Sequence, residues 1–166
     1  DGAIADFNAL LHVDPASGSA YLERAGAYTD KGDAARALAD VRMAIAVDPK
    51  REATYRAYAC SIQMQPIGDL SAARGECDAA LKLEPHDAYA RQVRGLLHLK
   101  AGRLDDARAD FEAALRRDRR AATALFGRGI VKRRQGDVAG GDADIAAARA
   151  IDHEIEAGFA RVGLAP

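Results

Sequence analysis

Tryptophan is absent from the 166 residues, cysteine occurs twice and aromatic side chains make up only 5% of the chain. Two cysteines, Cys60 and Cys77, cannot build a disulfide framework and lack CxxC spacing, so they read as buried, inert thiols and favour a reduced, cytoplasmic compartment. No apolar run approaches the roughly 20 residues that cross a bilayer, which argues against membrane insertion. No basic start followed by an apolar stretch and a small-residue cleavage site is present, so the chain shows no secretory signal. The four histidines, His12, His86, His98 and His153, are scattered without HExxH or other close ligand spacing, so no metal is expected. GxxxxGK[ST] and a strand-bound GxGxxG are also missing, so neither a phosphate loop nor a bound cofactor is expected. These absences together argue against an enzyme.

Half the residues are apolar and 30% are charged, with a net charge of -1, which is the balance of a folded globular chain. The apolar residues are arranged periodically. The acidic-proline pairs Asp14-Pro15, Asp48-Pro49 and Glu84-Pro85 stand 34 and 36 residues apart. Gly32-Asp33, Gly68-Asp69, Gly102-Arg103 and Gly136-Asp137 form a second comb with steps of 36, 34 and 34. Hence IADFNALL at 4–11 reappears as RADFEAAL at 108–115, three periods later. The two extra residues of the long period fall within Gln63–Ile67, where lengthening a surface turn costs little closure entropy.

Within a period the pattern is helical. Tyr21, Ala25 and Tyr28 share one face at i, i+4, i+7, and Ala37, Val41 and Ala44 repeat that spacing, so each unit reads as two amphipathic helices. Gly32 suits a left-handed helix end, Asp33 can cap the next helix, and the proline after the second helix redirects the chain. The chain therefore divides into a half unit at 1–15, full units at 18–51, 52–87, 88–121 and 122–153, and a terminal helix at 154–163. Gly140-Gly141, inside a helix, predicts that the fourth unit is the softest.

These positions resemble the signature of the tetratricopeptide repeat: large, small and aromatic residues on the first helix, then Ala, a bulky residue, Ala and Pro on the second. The first unit carries it as Tyr21, Ala25, Tyr28, Ala37, Val41, Ala44 and Pro49, and the second as Tyr55, Ala59, Ile62, Ala73, Cys77, Ala80 and Pro85. The third keeps Gly95, Ala107, Phe111 and Ala114 but has Arg91, His98 and Arg119 at the other places; the fourth keeps Gly129, Ile145 and Ala148, with Leu125, Lys132, Gly141 and His153 elsewhere. The resemblance implies an all-α, right-handed superhelical solenoid of helix-turn-helix repeats with a C-terminal capping helix. It also implies a noncatalytic module that binds a protein or peptide in a concave groove lined by the first helices.

On that implication the groove residues are Arg56, Tyr89, Gln92, Leu96, Leu99, Phe126, Ile130 and Arg133, with binding strength concentrated around Leu96, Leu99, Phe126 and Ile130. The competing reading has Phe159 and Val162 of the terminal helix packing onto those same residues. The Lys-Asn-Arg clamp by which some relatives grip chaperone tails is not expected, because the one asparagine, Asn8, lies on no first helix.

Charge adds a second candidate surface. Residues 91–135 carry +8 whereas 1–50, 51–90 and 136–166 carry -3, -2 and -4. The positive block contains Arg116, Arg117, Arg119 and Arg120, and then Lys132 and Arg134. Helix-end cations complementing the dipole explain it first, an acidic protein partner second and RNA third, since no aromatic interleaving supports base stacking. A regulatory segment of a larger enzyme is a further alternative, and the opening half unit leaves self-association open. Finally, Arg24 and Asp40, Arg94 and Asp110, and Arg128 and Asp144 each stand 16 apart across a hairpin, which predicts interhelix ion pairs rather than ligand contacts.

Overall fold

Eleven helical segments follow one another in the computed structural model, which describes residues 2–65 and 68–164. They are α1 (Gly2–Val13), α2 (Gly18–Asp30), α3 (Ala34–Val47), a 3-10 turn (Pro49–Arg51), α4 (Glu52–Gln63), α5 (Leu70–Leu83), α6 (Ala88–Lys100), α7 (Leu104–Arg117), α8 (Ala122–Arg134), α9 (Val138–Ile151) and α10 (Ile155–Arg161). No strand occurs among the described residues. Of the expected insertion at Gln63–Ile67, residues 66 and 67 lie outside the described residues.

The turns follow from their residues. Gly32, Gly102 and Gly136 have φ of 74°, 73° and 93°, the left-handed region that ends a helix without a Cβ penalty. Asp33, Asp69 and Asp137 then accept backbone N–H groups of α3, α5 and α9. Each of the pairs α2/α3, α4/α5, α6/α7 and α8/α9 forms an antiparallel hairpin, and each hairpin packs on the next. First helices also touch one another, α4 with α6 and α6 with α8, which places them on the inner side of the superhelix.

Gly141 sits in α9 because α8 and α9 cross there at backbone distance. A Cβ on Gly129 would lie 2.8 Å from the Gly141 carbonyl oxygen, and one on Gly141 would lie 2.7 Å from that of Gly129. Glycine at 129 and 141 thus allows the close crossing of the fourth hairpin.

The core is divided. One cluster joins α2, α3 and α4 around Val41, Tyr55 and Ile62. The largest runs from α6 to α10 around Phe111, Phe126, Ile130 and Phe159. Between them, Cys60 of α4 and Cys77 of α5 are fully buried and joined in a disulfide. This overturns the expectation of free thiols. Cys77 stands where Phe111 and Ile145 stand in the later hairpins, and those pack onto Gly95 and Gly129; in the second hairpin Cys77 is bonded to Cys60, the residue after the equivalent Ala59.

Candidate functional site

Polar structure across the hairpins comes first, because it sets which charges remain for a partner. Arg24 donates to both carboxylate oxygens of Asp40 at 2.7 and 2.6 Å. Arg94 does the same to Asp110 at 2.7 and 2.9 Å, and Arg128 to Asp144 at 2.7 and 2.8 Å. All three expected ion pairs form as two-pronged contacts with buried carboxylates. In the second hairpin, where Tyr58 replaces the arginine, Arg56 instead donates to Glu52 at 2.7 Å and Glu76 at 2.8 Å.

Each pairing perturbs its arginine. The hydrogen bond donated to Asp40 raises the Arg24 pKa, and those donated to Asp110 and Asp144 raise those of Arg94 and Arg128. For Asp144 burial acts upward, but the hydrogen bonds from Arg128 and Lys132 outweigh it and hold the carboxyl below its ordinary value. Burial lowers the pKa of His98, with Arg103 acting in the same direction, so the imidazole in the aromatic's place favours its neutral form.

Asp110 accepts from Arg91 at 3.0 Å as well as from Arg94. Replacing it by alanine should cost about 2 kcal/mol in a urea unfolding titration; the arginines keep partial access to water, which holds the loss below that of a fully buried pair. A double-mutant cycle with Arg94→Ala should show positive coupling between the two, and additive losses would remove the ion pair's role.

The inner face divides into a closed and an open part. Leu99, Phe126 and Ile130 are at most 1% exposed. The Phe126 ring lies 4.5 Å, centroid to centroid, from Phe159 of α10, and Ile155 and Leu164 complete the cover. Those three side chains are therefore not exposed anchors, and Phe126 is covered by the apolar face of α10. Arg133 turns toward Asp142 at 3.5 Å, so the role of steering an acidic ligand group is not visible in its contacts. Leu96 remains half-buried and, with Thr123, Ile155, Phe159 and Val162, lines a recess of about 320 Å³ where α10 meets the inner helices.

Over α2, α4 and α6 the inner face is open. The Tyr58 hydroxyl reaches across to Gly26 of α2, where an added Cβ would lie 3.0 Å from it. Tyr89 is 41% exposed, with Ser61 of α4 beside it; burial raises its pKa and Ser61 opposes the shift. Each tyrosine thus leans onto the preceding first helix. Gln92 donates to the Ala88 carbonyl at 3.3 Å, and Lys100 to the Met64 carbonyl at 3.0 Å. Tyr58 was missed from the sequence because its position in the repeat is that of the interhelix arginines.

The basic run splits on folding. Arg116 and Arg119 line a recess of about 540 Å³ with Glu112, Leu115, Leu125 and Arg128. Arg117 turns to the neighbouring junction beside Pro85 and Ala88. Arg120 and Arg134 are exposed, and Lys132 is engaged with Asp144 at 2.9 Å. The six cations therefore do not form one continuous patch. No cluster of three or more metal-ligating side chains occurs among the described residues, and none of their helices is long and apolar enough to cross a membrane.

A family model for the tetratricopeptide repeat matches residues 1–52, 67–107 and 93–152. The chain belongs to the tetratricopeptide repeat family. Among solved structures, MamA matches with a TM-score of 0.67 at 21% identity, covering 93% of this chain and 89% of that one. YrrB, described as a tetratricopeptide repeat protein with an unusual peptide-binding site, matches with a TM-score of 0.61 at 18% identity over 97% and 82% of the two chains. The Cut9–Hcn1 hetero-tetramer of the APC/C matches with a TM-score of 0.83 at 14% identity, over 96% of this chain but 32% of the other. At these identities the likeness is one of fold. A comparison with curated protein sequences returned no match. Tetratricopeptide repeats are generally protein-interaction modules, and the family is generally noncatalytic.

Proposed function

We propose that this tetratricopeptide chain holds a segment of a partner protein on the open part of its inner face, over α2, α4 and α6. The observation that carries this reading is Tyr89, 41% exposed on α6 with Ser61 of α4 beside it, while Tyr58, packed on the α2–α4 core, carries its hydroxyl to Gly26 of α2. Tyrosine supplies a large apolar contact with few rotatable bonds and a hydroxyl for the partner's backbone, so it anchors at low entropic cost. Arg56, held by Glu52 and Glu76, and Gln92 are half-buried polar groups of α4 and α6, and the recess at Leu96 offers a place for one apolar side chain. No catalytic step is part of this reading.

Photo-crosslinking separates the inner face from the rest. A benzophenone side chain at position 89 should yield one dominant adduct in lysate of the source organism, and the same group at exposed Met43 should not. Tyr89→Ala should abolish capture of that adduct's partner while changing stability by no more than about 0.5 kcal/mol, as expected for an exposed site. Adducts formed equally from both positions would count against an inner-face site.

A further inference from the structure

The junction between α7 and α8 departs from the three junctions before it in two linked ways. Where Arg119 stands, the three preceding junctions have Pro15, Pro49 and Pro85. Where Leu125 stands, they have Tyr21, Tyr55 and Arg91. Those larger side chains are all engaged: the buried Tyr55 hydroxyl donates to Asp48 at 3.2 Å, Arg91 donates to the Pro85 carbonyl at 2.9 Å, and Tyr21 stacks near the Arg24 guanidinium. Leu125 is shorter and has no polar end. The recess of about 540 Å³ opens beside it.

The walls of that recess are unequal in charge. Glu112 is already bound to Arg108 at 2.9 Å, and Arg128 to Asp144. Arg116 and Arg119 are exposed and have no carboxylate partner among the described residues. The floor is formed by Leu115 and Leu125, both nearly buried. Two free guanidinium forks over an apolar floor match a carboxylate that lies next to an aliphatic side chain.

The geometry points to a second docking site, between α7 and α8, for an acidic protein segment that sets a leucine-sized side chain on Leu115 and Leu125 and a carboxylate between Arg116 and Arg119. It is separate from the inner face and does not depend on it. A protein segment is favoured over RNA because no aromatic ring lines the recess to stack a base, and two free arginines offer few phosphate contacts.

The test uses the whole chain and a fluorescein-labelled, end-blocked hexapeptide, Glu-Glu-Leu-Glu-Glu-Leu, with its glutamine counterpart and a short oligouridylate as the other arms. The acidic peptide should bind, and the glutamine peptide should bind at least about tenfold more weakly, the scale of one lost charge-assisted hydrogen bond. Joint replacement Arg116→Ala and Arg119→Ala should weaken binding by at least about the same factor without moving the melting temperature. Leu125→Tyr restores the residue type of the first two full repeats and should close the recess, abolishing peptide binding in a chain that still folds. Tyr89→Ala should leave it unchanged. The inference is overturned if the acidic peptide does not bind, if the arginine or Leu125 variants bind it as the parent does, or if the oligouridylate binds as tightly and is lost in the same variants.

Discussion

Phe126→Ala is expected to destabilise the chain by about 3 to 5 kcal/mol, the range for truncating a fully buried phenylalanine. The side chain is wholly inaccessible and belongs to the largest core cluster, where it meets Phe159. Its loss removes transfer free energy, leaves a cavity and takes away the ring on which α10 rests. A helix of seven residues does not persist by itself, so its order depends on that docking. Urea titration should therefore show a lower midpoint, and limited proteolysis should cut first near Ile155. Phe159→Ala should produce the same early cleavage at a smaller stability loss, because α9 and the earlier hairpins keep their own contacts. A Phe126→Ala chain that melts like the parent would mean that the ring is not internal packing and would return it to the list of vacant groove anchors.

Reducing the Cys60–Cys77 bond should cost about 3 kcal/mol, the loop-closure entropy of a 17-residue separation. The bond joins α4 to α5 at the middle of the hairpin, in the unit that also carries the two-residue insertion, so the longer turn is offset by a covalent tie. Paired replacement Cys60→Ala and Cys77→Ala should give a loss of the same size that is insensitive to reductant, whereas the parent's midpoint should fall only when reductant is added. The side chains lie among Met64, Val93 and Leu97, so slow reduction of the native chain and fast reduction in denaturant are expected. Two titratable thiols in the denatured, unreduced chain would refute the bond. If it is present in protein isolated from its source, the compartment is one that maintains disulfides, and the expectation of a reduced one falls.

Much of the architecture was legible because it depends on short-range rules. Residues that repeat every 34 positions meet equivalent neighbours, so the hairpin of Gly32, Asp33 and Ala37 could be read from residues within one unit. The pairs Arg24–Asp40, Arg94–Asp110 and Arg128–Asp144 were readable for the same reason: a hairpin with a fixed turn places residues 16 apart face to face. The packing role of Gly141 was not legible, because a single strip of sequence does not show that Gly129 crosses it at backbone distance.

What the tertiary structure alone decided depends on rotation and docking between segments. The sequence by itself determined the repeat, its caps, its ion pairs and the all-α class, all of which follow from periodicity and local hydrogen bonding. Whether Phe126 faced a partner or its own chain turned on where α10 lands, and an amphipathic helix can cover any apolar surface within reach. Whether Cys60 and Cys77 were thiols or a bond turned on how α4 and α5 are rotated against each other, which brought their Cα atoms to 5.4 Å. The run of arginines looked continuous in one dimension, but the end of α7 aims Arg116 and Arg119 at one recess and Arg117 at another. Linear spacing carries no information on such directions, because they are set by how one hairpin stacks on the next.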